Sequence, residues 1–182
     1  HEPFQPIPEG FRHAAWNDLA AVEAALAPEV GAILLEPLQG EGGVNPADMT
    51  FLQGVRRLCD ERGMLLIIDE VQTGLGRTGE WFGFQHAGIA PDVVTMAKGL
   101  GNGVPIGAVW ATADVAAAFG PGDHGSTFAG QPLAAAGARE VLRIMEEMDA
   151  PRKARERGAE LTVLLEAIPG VSSVRGLGLL LG

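Results

Sequence analysis

The chain has 182 residues, 47% of them hydrophobic, which suits one globular domain and excludes a disordered tail. Thirteen Lys and Arg against 23 Asp and Glu leave a net charge of −10, which argues against a nucleic-acid binder and against docking to an anionic membrane. A single cysteine, Cys59, rules out an intrachain disulfide. With only four scattered histidines (His1, His13, His86 and His124), no zinc site and no other metal is expected.

The first fifteen residues read as irregular, with several prolines. Asn17 is the expected N-cap of a helix carrying Leu19, Val22 and Leu26 and ended by Pro28. Gly31 to Glu36 is a short apolar run between Gly and Pro, the pattern of a buried strand. Phe51, Val55, Leu58 and Cys59 mark one face of a second helix closed by Gly63. Met64 to Asp69 is a second buried strand, followed by a glycine-rich loop from Thr73 to Gly79. Asp92 to Ala97 and Gly107 to Thr112 read as a third and a fourth strand. One longer helix then shows Leu133, Gly137, Val141, Ile144 and Met148 on a face, and another shows Ala154, Leu161, Leu165 and Ile168. Val171 to Val174 and Leu177 to Leu181 read as the start of another sheet. Continuous apolar strands alternating with amphipathic helices predict an α/β fold with a mostly parallel sheet flanked by helices. Pro169-Gly170 marks the expected domain edge, dividing the chain into 1–168 and 169–182.

No apolar run approaches the ~20 residues of a membrane span and no signal peptide is visible, so a cytoplasmic location is expected. The first residue is His and four strands are few for a doubly wound domain, so the chain reads as a piece of a longer protein. Glycine, at 26 residues, is about twice its usual share of ~7%, which hints at close backbone approach to a ligand.

Ligands of open α/β sheets sit beyond the carboxyl ends of the strands. Glu36 closes the first strand, Asp69 and Glu70 the second, and Lys98 follows the third. Spacing alone leaves a structural ion pair open, because carboxylates on buried strands need partners. The local sequences add to this. Lys98 precedes Gly-Leu-Gly, which leaves open backbone around the amine. A desolvated strand-end lysine suits a Schiff base, and a strand-end aspartate suits a protonated pyridine nitrogen. Together they suggest pyridoxal 5′-phosphate. A nucleotide-binding reading of Gly99 to Gly103 lacks the full fingerprint.

Four segments then resemble the class III (ω-amino) aminotransferases, nearest the acetylornithine/ornithine group. They are Glu36-Pro-Leu-Gln-Gly-Glu-Gly-Gly43, Ile68-Asp-Glu-Val-Gln-Thr-Gly74, Ala97-Lys98-Gly99 and His124-Gly-Ser-Thr-Phe128, in unbroken order over nearly the whole chain. The resemblance implies part of the large domain of a fold-type I pyridoxal-phosphate transferase over 1–168, and the start of its small domain over 169–182. It implies that Lys98 forms the Schiff base with the cofactor aldehyde and then carries the proton between substrate and cofactor. Asp69 would keep the pyridine nitrogen protonated, Gln72 would reach the phenolic oxygen, and Val71 would pack on a ring face. Ser126 and Thr127 would meet a phosphate bound mainly by the other subunit, which implies a homodimer with composite sites. Glu41 resembles the family's gating carboxylate, and Glu36 a residue close to the site. His124 is left as a local structural donor, Arg77 as a fastener of its loop or of a subunit contact, and Cys59 as a small core residue.

The implied reaction moves the δ-amino group of N-acetylornithine to 2-oxoglutarate, in arginine biosynthesis. Ornithine, succinylornithine, 4-aminobutyrate or a diamine are the alternative donors, and an inactive truncated fragment is the alternative from another class. The sequence departs from the family's habit at Ala129-Gly-Gln131 and at Asn45. The family's phosphate cup, its stacking aromatic and its carboxylate-binding arginine are expected outside these residues. The chain alone is therefore expected to expose sheet edges and one face of its core, and to fold incompletely by itself.

Overall fold

The structure is a computed structural model that describes residues 5, 6 and 8–182. The irregular stretch expected over 1–15 falls partly outside the described residues, and His1 wholly so. Helix α1 (Leu19–Ala25) begins at Asp18, whose carboxylate accepts from Ala21 N at 2.9 Å. The cap is thus Asp18 and not Asn17. Asn17 sits outside the helix at φ 58°, where its side chain accepts from Asp48 N (2.9 Å) and donates to the Pro46 carbonyl (3.3 Å). Helix α1 also ends earlier than expected, because Leu26 is already extended, before Pro28.

The central sheet holds β1 (Ala32–Leu35), β4 (Leu65–Asp69), β5 (Val93–Met96) and β6 (Ala108–Ala111), side by side in that order. Strands β1, β4 and β5 run parallel, whereas β6 runs antiparallel to β5. The reversal follows from the connection. A parallel return needs a crossover of a dozen or more residues, usually a helix, and the link over 97–107 holds only a short 3-10 turn. Two small antiparallel hairpins complete the strands: β2 (Leu38–Gln39) with β3 (Asn45–Pro46), and β7 (Gly176–Leu177) with β8 (Leu180–Leu181). The stretch 171–174, expected as a strand, carries none.

Helix α2 (Met49–Arg62) covers one face of the sheet, as its apolar spacing predicts, and closes on Gly63 in the left-handed conformation (φ 64°). Phe51, Leu52, Val55, Leu58 and Cys59 pack with Leu66 and Ile68 into the core. Each such side chain contributes about 1.5–3 kcal/mol by leaving water. The opposite face is thinly covered. Leu34 is 59% exposed and Val109 on β6 is 70% exposed. The strand expected as buried over 31–36 has no buried residue: Ile33 and Leu35 are half-buried while Ala32 and Leu34 are exposed, so one sheet face is open.

Helices α3 (Ala113–Ala116), α4 (Pro132–Glu147) and α5 (Ala150–Glu166) follow. The faces expected to be buried are mostly exposed: Leu133 is 81% exposed, and Ile144, Met148, Leu161 and Ile168 are also exposed. In α4 only Ala138 is buried, and α5 packs through Pro151, Ala154 and Gly158. The reason is a close backbone approach. A Cβ at Gly158 would lie 2.0 Å from the Gly178 carbonyl oxygen, so the β7–β8 hairpin seats on the small-residue stripe of α5 rather than on its leucines. The Arg77 carbonyl accepts from Leu179 N at 2.9 Å and fastens the hairpin to the glycine-rich loop.

Candidate active site

The parallel alignment of β1, β4 and β5 puts their carboxyl ends next to one another. Leu35 is paired with Ile68, and Asp69 with Thr95. Glu36, Asp69 and Lys98 therefore follow or close three neighbouring strands, as their spacing predicts. Asp69 is half-buried, and its Oδ1 accepts from Val71 N (2.9 Å) and from the Thr95 hydroxyl (3.1 Å). Among the described residues no hydrogen bond is made to Oδ2. The carboxylate is thereby aligned from two sides while one oxygen stays available for a cationic N–H.

Glu70 points the other way, into the protein, and is 1% exposed. It accepts from the Thr73 hydroxyl (2.5 Å), from Gly83 N (2.9 Å) and from Phe84 N (2.9 Å). Burial pushes its carboxyl above the usual range, and these three donors pull it part of the way back. The sequence names Glu70 only as a strand-end acid. Its part in pinning the loop that carries Val71 and Gln72 shows only once Gly83 and Phe84 are seen against it.

Gln72 is half-buried beside Gly40, where a Cβ would lie 2.7 Å from the Gln72 amide carbon. Glu36 Oε2 accepts from Gly40 N at 3.3 Å. Gly40 thus joins Glu36 and Gln72, and the turn that follows carries Glu41, which is exposed. Val71 is half-buried at the end of β4.

Lys98 follows β5 at the head of a single 3-10 turn, Lys98–Leu100, with an exposed side chain. Its φ of +42° lies in the left-handed region that favours glycine. The turn is held by Leu100 N donating to the Ala97 carbonyl (2.9 Å) and Gly101 N to the Lys98 carbonyl (3.2 Å). Backbone in a sparsely populated region concentrates at functional sites.

Ser126 and Thr127 lie in an exposed stretch after α3, where Phe128 N donates to Ser126 Oγ at 3.4 Å. Among the described residues no hydrogen bond joins either of them to Asp69, Gln72 or Lys98. The structure thus gathers Glu36, Asp69, Val71, Gln72 and Lys98 at one end of the sheet, with Glu41 on the adjoining turn. His86 Nε2 meets the Thr78 hydroxyl at 3.1 Å, and burial lowers its pKa. His124 stacks edge-on against Phe119. Among the described residues no group of three His, Cys, Asp or Glu side chains is placed to hold a metal, and no helix is long and apolar enough to cross a membrane.

The family model for aminotransferase class III matches residues 3–182. The chain belongs to this family. Acetylornithine aminotransferase 1 of Bordetella pertussis is 54% identical over 98% of the chain and 47% of its own length. Acetylornithine aminotransferase of Myxococcus xanthus is 50% identical over 98% of the chain and 46% of its own length. An ornithine aminotransferase from Toxoplasma gondii, crystallised with pyridoxal phosphate partly occupying its active site, superimposes with a TM-score of 0.92 at 40% identity over 98% of the chain and 43% of its own. The chain therefore spans just under half the length of the curated relatives it matches. The α/β architecture expected from the sequence is the one these aminotransferases share. These residues fit the ring end of the family's cofactor: a carboxylate held on one oxygen with the other free, and an amine just beyond the neighbouring strand.

Proposed function

We propose that the protein bearing this chain is a pyridoxal-phosphate-dependent transaminase that moves the δ-amino group of N-acetylornithine to 2-oxoglutarate, a step of arginine biosynthesis. The observation that carries the reading is the placement of Asp69 at the end of β4 and of Lys98 just beyond its parallel neighbour β5, with Thr95 of β5 bonded to Asp69. Pyridoxal phosphate, when bound, supplies an aldehyde for an amine and a ring that takes up the electron pair left by proton loss. Asp69 would hold the proton on the ring nitrogen through its free oxygen. Gln72 would donate its amide to the phenolic oxygen and Val71 would pack on a ring face. The Lys98 amine would hold the cofactor's aldehyde group and, once substrate displaces it, would carry the proton between the substrate carbon and the cofactor carbon. Proximity would make this efficient, because the displaced amine stays beside the carbon it deprotonates.

Glu41 is the acid that pairs with an arginine in one half-reaction and frees it to grip a substrate carboxylate in the other. Glu36 orders this region by holding Gly40. Ser126 and Thr127, both exposed, fit a phosphate shared with a second copy of the chain, hence a homodimer with composite sites in the cytoplasm. Residues 1–168 belong to the cofactor-binding domain and 169–182 open the next.

Ornithine is the second reading of the donor, favoured by the ornithine aminotransferase from Toxoplasma gondii that superimposes on the chain. The test is borohydride reduction of the pyridoxal-phosphate-loaded protein, followed by peptide mapping. The chain has only two lysines, Lys98 and Lys153. Selective labelling of Lys98, with an absorbance change on adding N-acetylornithine, is the expected outcome. Labelling of Lys153 alone, or no absorbance change with any ω-amine, would overturn the reading. A change with ornithine but not with its acetylated form selects the second donor.

A further inference from the structure

The C-terminal hairpin reaches back to the turn that carries Glu41. In that turn the Gly40 carbonyl accepts from both Gly43 N (3.1 Å) and Val44 N (3.2 Å). One end is fixed where Gly40 meets Glu36 and Gln72. The other end is strained. Gly43 has φ +108°, which glycine tolerates, but Val44 has φ +55°, where a β-branched residue is an outlier.

Arg175 lies against this strained pair. Its Nε donates to the Gly43 carbonyl (3.0 Å) and to the Val44 carbonyl (2.9 Å), and Nη2 donates again to Gly43 (2.5 Å). Arg175 is itself held by main-chain bonds in both directions with Gly182, each 2.9 Å. Gly182 sits so close that a Cβ there would lie 2.8 Å from the Val44 Cβ. Among the described residues Arg175 makes no ion pair, so its guanidinium serves two consecutive main-chain carbonyls rather than a carboxylate. Glu41 stands between the two anchors.

We propose that Arg175 is a positioning residue, which clamps the Gly43–Val44 turn and so fixes where Glu41 is presented. The inference rests on the reading of Glu41 as the gating acid. It makes the hairpin over 175–182 part of the apparatus by which one site accepts two amine donors that differ in their carboxylates.

The test uses the full-length protein loaded with pyridoxal phosphate. Hydrogen exchange at the Gly43 and Val44 amides is expected to be at least about ten-fold faster in Arg175→Ala, and unchanged at Val71 and Gln72. Arg175→Lys restores part of the protection, since an ammonium reaches a carbonyl without the planar fork. Stopped-flow half-reactions give the second readout, as kcat/KM for N-acetylornithine relative to glutamate. Arg175→Ala is expected to shift this ratio in the same direction as Glu41→Ala, and the double variant to shift it no further. Unchanged exchange at Gly43 and Val44 would overturn the clamp. Faster exchange with an unmoved ratio would overturn the link to Glu41. If Glu41→Ala itself leaves the ratio unmoved, the gating reading fails and the proposal with it. Should Arg175→Ala not fold, Arg175→Lys carries both comparisons.

Discussion

The Thr95 hydroxyl donates to Asp69 Oδ1 at 3.1 Å, across the register pair that joins β5 to β4. With Val71 N on the same oxygen, it fixes the plane of the carboxylate and leaves Oδ2 for a ligand. Thr95→Val keeps a β-branched strand residue and removes only the donor. It is expected to weaken cofactor binding roughly five-fold, or about 1 kcal/mol, in an absorbance titration with pyridoxal phosphate. Undiminished affinity would mean that Val71 N alone orients Asp69.

Gly40→Ala drives a methyl group to 2.7 Å from the end of the Gln72 side chain. A flexible amide yields before the backbone does, so the melting temperature should move little. The cofactor absorbance band should shift as it does in Gln72→Ala. A large loss of stability with an unmoved band would place the conflict in the main chain instead.

Glu70 is buried with its carboxyl raised above the usual range, chiefly by burial. The folded state therefore holds the proton more tightly than the unfolded chain. Stability from this group is complete below its ordinary value and is lost as pH rises through the raised folded value. Glu70→Gln carries no charge at any pH. The melting temperature of the unmodified protein relative to this variant should be higher at pH 5 than at pH 8. A difference independent of pH would show that Glu70 does not titrate in that range.

Cys59 is fully buried in the core, and burial pushes its thiol up to about 11. A thiol with so little thiolate at pH 8 is inert toward alkylating agents. Native protein should resist iodoacetamide for hours, and denatured protein should be labelled within minutes. Rapid native labelling would show that helix α2 opens readily from the sheet.

The four strands of the central sheet are legible because each rests on a local apolar run, whereas 171–174 reads as a strand and carries none. The runs 64–69 and 92–97 are apolar and bounded, and Asp69 and Lys98 sit at their ends in motifs with little latitude. Thr95 was not legible, since its value comes from the register of β5 on β4, which no local pattern encodes. The direction of β6 follows from the length of its connection rather than from its apolar run. Leucine spacing marks the faces of α4 and α5, yet α5 makes its contact through Ala154, which the pattern includes, and through Gly158, where hydropathy is quiet. Arg175 pairs with main-chain carbonyls, and main-chain partners leave no signature in side-chain chemistry.

Lys98 at φ +42° carries one further consequence. Its backbone would settle more comfortably as glycine, while its proposed role demands an amine, so folding and chemistry pull in opposite directions at one residue. Lys98→Gly should be more stable than Lys98→Ala by about 1 kcal/mol in thermal melts, although both delete the amine. In the proposed reading the main chain at Lys98 carries strain for the sake of its amine.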